Sequence, residues 1–361
     1  MTLRRLAIVV ALAAAAGGCT TLSYYGQAVG GHLDLLRRSE PVADKLASPS
    51  TPAELRDRLA RAVQIREFAS RELGLPDNAS YRRYADLERP FVVWNVFAAP
   101  ELELRARDSC FAIVGCVSYR GFYSREAAEA EAASLRAQGF DVFVGGVPAY
   151  STLGWLPDPL LNTFINYPSA ELARLLFHEL AHQIVYVQDD TTFNESFAVA
   201  VEEEGVARWL VQHGSAADRE RYERFQGMKR DFRALIARYR ERLEALYAQD
   251  LPVAEKRAGK ARLYAEMQAD YDAQKQAWGG FAGYDRFFAE PNNALLVSIA
   301  TYNELVPAFR ALLAQEDGDL ARFYTAVKSL SRLDKPERTA QLAAILAGAR
   351  YAGSGGATPA R

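Results

Sequence analysis

Histidine and cysteine are both scarce in this chain, with four and three copies in 361 residues. Three cysteines leave room for one disulfide at most, so the fold must rest on a hydrophobic core. Charge of one sign is also missing. Forty-three basic residues mix with forty-five acidic ones, for a net charge of −2, and no basic stripe stands out. That balance argues against a nucleic-acid-binding protein. No internal repeat is present, which excludes a solenoid or propeller. The N-terminal apolar run, residues 6–16, is too short to span a bilayer. What is present is a chain half apolar in composition, enough for one large domain or two small ones.

The short apolar run follows Arg4-Arg5 and ends at Gly17-Gly18-Cys19. A basic flank, an apolar centre and small residues before a cysteine form a lipoprotein signal peptide over 1–18. Cys19 is then the lipidated first residue of the mature protein, anchoring it to a membrane. An ordinary cleaved signal, releasing a free exported protein, is the alternative. Thr20 after the cysteine resembles outer-membrane sorting, so the expected location is the bacterial cell envelope, on the outer membrane facing the periplasm. In that oxidising compartment Cys110 and Cys116 are either a disulfide pair or two buried thiols.

Two of the four histidines stand together in His178-Glu179-Leu180-Ala181-His182. Residues four apart share one helix face, so both imidazoles can address one ion while Glu179 faces a water bound to it. Ser169 reads as an N-cap, and Leu172, Leu175, Leu176, Leu180 and Ile184 form an apolar stripe. The spacing predicts a buried helix over 171–183. Histidines that merely pack in a core are the bland alternative, and the i,i+4 pair with Glu beside it weighs against that.

A catalytic zinc has three protein ligands and an open position for water. Thr192-Phe193-Asn194-Glu195 opens a second apolar segment, 197–210, which can turn back antiparallel and present Glu195 to the histidines. Thr192-x-x-Glu195 also fits a capping box, which would spend Glu195 on the helix terminus. Asp189 and Asp190 read as a solvated turn. Glu202, two turns beyond Glu195, suits a partner that orients a histidine. Glu203 and Glu204 read as surface residues.

His178-Glu179-Leu180-Ala181-His182-Gln183 with Asn194-Glu195-Ser196-Phe197-Ala198 resembles the motif pair of gluzincin-type zinc aminopeptidases. In that resemblance the asparagine–glutamate pair supplies the third ligand. Thermolysin-like enzymes carry an aspartate four residues after that glutamate. Val199 stands there in this chain, so another group must orient the histidine. No Gly-Ala-Met-Glu-Asn exopeptidase motif occurs. More closely, the chain resembles a family of bacterial lipoproteins described as putative aminopeptidases, through Tyr24-Tyr25-Gly26-Gln27, Ala149-Tyr150-Ser151-Thr152-Leu153-Gly154-Trp155 and the motif region.

The expected organisation is an N-terminal helical segment (19–89), a small sheet with the zinc-site helices (90–214), a helical region (215–350) and a disordered tail (351–361). Helices are predicted at 53–73, 124–138, 218–248, 253–277, 292–313 and 320–330, and strands at 91–97, 116–119 and 141–144. The charged helices between 215 and 277 read as a solvated hairpin, with a lid over the cleft as the alternative. The fold class is α+β and predominantly helical, with a zincin-like metallopeptidase core, a small sheet and a helical C-terminal part. Residues 142–153 are the expected edge strand for an extended peptide.

The expected chemistry is zinc-dependent peptide hydrolysis, with Zn2+ on His178, His182 and Glu195, and Glu179 as general base. A tyrosine is expected to steady the oxyanion, Tyr302 first and Tyr150 second. The alternatives are a zinc hydrolase of another amide and a non-catalytic envelope lipoprotein.

Overall fold

The computed structural model describes residues 26–27, 30–111, 115–149, 151–300 and 305–354. Residues 1–18 and Cys19 lie outside them, so the signal and anchor expectations fall outside the structure described here. After a helical stretch at 30–38 the helices are α1 (Val42–Ala47), α2 (Ala53–Arg71), α3 (Arg125–Ala137), α4 (Ser169–Ala181), α5 (Thr191–His213), α6 (Ala216–Tyr247), α7 (Val253–Ala277), α8 (Asp285–Phe288), α9 (Asn293–Ala300), α10 (Val306–Gln315), α11 (Leu320–Leu330) and α12 (Lys335–Ser354). The strands are β1 (Glu40–Pro41), β2 (Arg83–Ala85), β3 (Val93–Pro100), β4 (Ser109–Phe111), β5 (Gly115–Val117), β6 (Arg120–Phe122), β7 (Phe140–Val147) and β8 (Leu160–Leu161). The fold is α+β and predominantly helical, with small sheets, as expected.

Proline opens several of these helices. Pro52, Pro168 and Pro252 occupy the N-caps of α2, α4 and α7, and Pro307 stands in the first turn of α10. There the missing N–H costs nothing, because the first amides of a helix have no intrahelical acceptor. Gly74, with φ +64°, closes the end of α2 together with the Leu75 N–H donating to the Ala69 carbonyl. The expectation that Ser169 caps α4 is corrected. Pro168 is the cap, and Ser169 is the first helical residue, its hydroxyl buried without a partner among the described residues.

The antiparallel sheet runs β6-β3-β7. β3 is covered on both faces, which is why its sequence is apolar without alternation. On one side Trp94, Val96 and Ala98 pack with Val142 against Ala128, Ala132 and Leu135 of α3. On the other, Phe97 and Ala99 meet Ala294 and Val297 of α9. β7 forms one border of the sheet as far as Val147, and the chain then leaves the strand at Pro148. The strand expected at 116–119 ends early: β5 stops at Val117, Ser118-Tyr119 form a bend, and β6 follows from Arg120. β5 pairs with β4 so that Cys110 lies opposite Cys116, and Cys116 is disulfide-bonded. The helix expected over 292–313 is likewise α9 and α10, the latter started afresh at Val306-Pro307. α12 continues to Ser354, so residues 351–354 of the expected tail are helical, and 355–361 lie outside the described residues.

The main core gathers α2, α4, α5, α10 and α11. Phe68, Phe177, Phe193, Phe197, Trp209, Phe309 and Phe323 are all at most 3% exposed in it. Buried Arg66 ties α2 to the following loop by donating to the Ser80 and Pro76 carbonyls at 2.9 and 2.6 Å. The hairpin of α6 and α7 has a separate core of Phe232, Leu235, Ile236, Tyr239, Leu243, Leu263, Tyr264, Met267 and Tyr271. Asn293 fastens it to the sheet layer, accepting from the Tyr247 and Tyr264 hydroxyls while donating to the Pro100 and Glu101 carbonyls.

Candidate metal centre

α4 and α5 pack side by side, and a glycine lets them approach. A Cβ at Gly205 would stand 2.7 Å from the Phe177 ring and from Leu73, so any larger residue would push the helices apart. α4 buries Leu172, Leu175, Leu176, Phe177 and Leu180, and the flank facing α5 carries His178 and His182. His182 is the C-cap residue, still in helical conformation, so the i,i+4 relation survives the helix end.

From α5, Glu195 enters this space. His178 Nε2 lies 3.2 Å from Glu195 Oε2 and 3.2 Å from His182 Nε2, and His182 Nε2 lies 3.8 Å from Glu195 Oε1. One ligand atom from each residue fits within a 4.8 Å cluster. Three ligands tetrahedrally placed on zinc at its usual bond lengths stand about 3.3 Å from one another. Two imidazole nitrogens and a carboxylate converging at such spacings suit that ion.

The alternative role for Glu195 is corrected by the helix terminus. Asp190, not Thr192, is the N-cap of α5, accepting from the Phe193 N–H at 3.4 Å, so no capping box engages Glu195. The expected solvated turn also divides: Asp189 is exposed, whereas Asp190 is buried and receives the Arg338 guanidinium at 3.0 and 2.6 Å. Asn194, 1% exposed, clamps the connection between the helices. Its Oδ1 accepts from Val187 N–H at 2.8 Å and its Nδ2 donates to Val187 O at 2.7 Å. The asparagine of the Asn-Glu pair therefore fixes the turn that aims Glu195.

Glu202 does what its spacing suggested. Its Oε2 lies 2.9 Å from His178 Nδ1 and accepts from Arg174 at 2.9 Å. Arg174 in turn binds Glu171, which faces Lys229 of α6 at 3.7 Å. An acceptor at Nδ1 places the proton there and leaves the Nε2 lone pair toward the cluster. The position of Val199 is thus made good one turn later by Glu202. His182 Nδ1 has no hydrogen-bond partner among the described residues. Glu203 and Glu204 turn away from the cluster to Arg310 and Arg208.

As side chains alone, the histidines titrate in opposite directions. Burial disfavours charge on His178, but the Glu195 and Glu202 carboxylates outweigh it and raise its pKa. Burial and the neighbouring His178 charge lower that of His182. Glu202 is held down despite its burial, chiefly by Arg174 and His178. Burial, aided by the Glu195 and Asp158 charges and offset by His178, pushes Glu179 up to about 7. A carboxyl poised near neutrality is suited to take and return a proton.

Tyr302 and Tyr150, the expected oxyanion donors, lie outside the described residues. Tyr186 was not anticipated; its half-exposed ring stands 6.2 Å from that of His182, and its position four residues after His182 was the available signal. Asp158, buried and within electrostatic reach of Glu179, was also missed, because nothing local marks it.

Residues 23–342 match the family model described as "Putative aminopeptidase". The chain belongs to that family. No curated protein and no solved structure matches it. A peptidase-like function follows from membership, and the His178, His182 and Glu195 group is one that could hold a metal in such a peptidase.

Proposed function

We propose that this family member is a zinc-dependent peptidase, acting as an aminopeptidase, with His178, His182 and Glu195 as ligands. The observation that carries the reading is the convergence of those three donors beside a partly buried carboxyl, Glu179, that is bound to none of them. Zinc held there would supply an acidified water and a positive charge for the substrate carbonyl. Glu179 takes the proton of the attacking water and returns it to the departing amine. Glu202 keeps the proton of His178 on Nδ1, and Arg174 keeps Glu202 ionised. Tyr186, its ring near that of His182, would donate toward a developing oxyanion. Cys19, if lipidated, would hold this domain at the envelope membrane; among the described residues no helix is long and apolar enough to cross one.

Elemental analysis and peptide-library cleavage test the reading together. One zinc per chain and cleavage that disappears on chelation and returns with zinc are expected. A protein purified without zinc that neither acquires it nor cleaves any peptide would overturn the proposal.

A further inference from the structure

One buried acid near the candidate metal centre has no assigned work. Asp158 is 3% exposed. Its Oδ2 accepts from the Thr152 N–H at 3.0 Å and from the Ser151 hydroxyl at 3.5 Å. The Thr152 side chain also stands against the carboxylate, and no Lys, Arg or His among the described residues pairs with it. Buried carboxylates are normally paired, because an unpaired one forfeits its hydration. Burial accordingly lifts Asp158 to about 6. A cation delivered to it would remove that penalty.

The surrounding loop is held by its own hydrogen bonds and meets the C-terminal end of α4. The Ser151 hydroxyl accepts from Leu153 N–H, Thr152 Oγ1 accepts from Leu156 N–H, and Leu153 and Gly154 take successive left-handed conformations, φ +57° and +80°. The Asp158 carbonyl accepts from Tyr81 N–H at 2.6 Å. A Cβ on Gly154 would stand 3.1 Å from Gln183 Oε1, and Gln183 is itself held by Asn78 and Ser80. Gln183 follows the C-cap of α4, in the turn that the Gln183 N–H closes on the Leu180 carbonyl. The loop therefore packs against the end of α4, and from it the Asp158 charge reaches Glu179.

We propose that the Asp158 carboxylate receives the α-ammonium group of a peptide's free N-terminus and so makes this site an exopeptidase site. This rests on the peptidase reading above. In an aminopeptidase substrate the α-nitrogen is only two bonds from the scissile carbonyl carbon, so its anchor must stand beside the base and the metal. Glu195 and Glu202 are committed to the histidines and Glu179 to proton transfer. Asp158 is the buried acid there without a partner of opposite charge, oriented by the loop through Oδ2.

The test compares peptides with free N-termini against their N-acetylated twins, using the full chain loaded with zinc, its Asp158→Asn variant and, for binding alone, the Glu179→Gln variant in a calorimeter. Wild type should prefer the free amine by about ten- to a hundredfold in kcat/KM, the scale of one charge-assisted hydrogen bond. Asp158→Asn, which can still accept from Thr152, should bring that ratio near one with zinc content unchanged. Asp158→Glu should restore part of it. Equal loss on both peptides, with the ratio kept, would reduce Asp158 to a positioning residue and overturn the proposal. Should neither variant fold, wild type alone decides, since equal cleavage of the two peptides overturns it. Absence of all cleavage would refute the peptidase reading, and calorimetry would still judge this one: tighter binding of the free amine supports it, equal binding overturns it.

Discussion

The α4–α5 pair and the α6–α7 hairpin use charged residues in opposite ways. Where the pair faces inward, its ionisable groups are buried or partly buried and held by one another: Glu171, Arg174, Glu202 and His178 form one chain of contacts, which Lys229 of α6 joins at Glu171. In the hairpin the apolar residues hide between the helices, while Arg238–Asp270 and Arg242–Glu266 cross its exposed surface. A buried network fixes geometry at the cost of desolvation, so removing one member strands its partners. A surface pair is screened and replaceable by water. Substitutions should therefore be severe in the pair, mild in the hairpin, and separable into metal, chemical and structural effects.

The largest effect is expected from Glu195→Ala, which removes one of three donors. Zinc should be lost much as in His178→Ala, and turnover with it. Retention of full metal content with only a lower melting temperature would return Glu195 to a structural role.

Glu179→Gln should separate chemistry from binding within the same pair. The amide keeps size and hydrogen bonding, so zinc and fold should persist while turnover falls about 10²–10⁴-fold, as on losing a general base. Near-normal turnover would reopen the choice of base; lost zinc would show the ligand set to be wrong.

Glu202→Ala should damage both stability and metal affinity. It leaves Arg174 and His178 without their shared acceptor, so denaturant unfolding should show a loss of about 3–5 kcal/mol. Zinc affinity should weaken about 10–100-fold, the usual consequence of removing a histidine's orienting partner. A variant that loses stability but keeps zinc affinity would separate the network from the metal.

How these residues could be read from sequence depends on distance along the chain. α7 and α11 have the expected bounds because helical composition, Pro252 and the Asp319 cap act within a few residues. His178, Glu179 and His182 announce themselves by i,i+4 spacing, and Glu202 by its two turns from Glu195. The capping box that Thr192-x-x-Glu195 offers as an alternative is not formed: Thr192 and Asp190 are both good cap residues, and Arg338, 148 residues away, pairs with Asp190. Asp158 gives no local sign, since its meaning comes from a loop folded onto Gln183. The break between β5 and β6 was hidden in an otherwise strand-like run. Long-range pairing, rather than weak propensity, is what escaped.

The smallest effect belongs to the hairpin and is the sharpest check on the comparison. Arg242 donates to Glu266 at 2.5 Å across the hairpin, with both side chains more than 40% exposed. Its guanidinium also stands 4.9 Å from the Tyr239 ring centre. Water can take over the ion pair, and exposed pairs contribute about 0.2–1 kcal/mol. Arg242→Ala should therefore lower stability by no more than about 1 kcal/mol, with the cation–π contact adding little at an exposed site. Zinc content, and the preference for free over acetylated N-termini, should match wild type. If the variant instead lowered zinc affinity or turnover, the hairpin would be coupled to the metal centre through α6, where Lys229 meets Glu171. It would then belong to the cleft as the lid that its charged sequence also allowed.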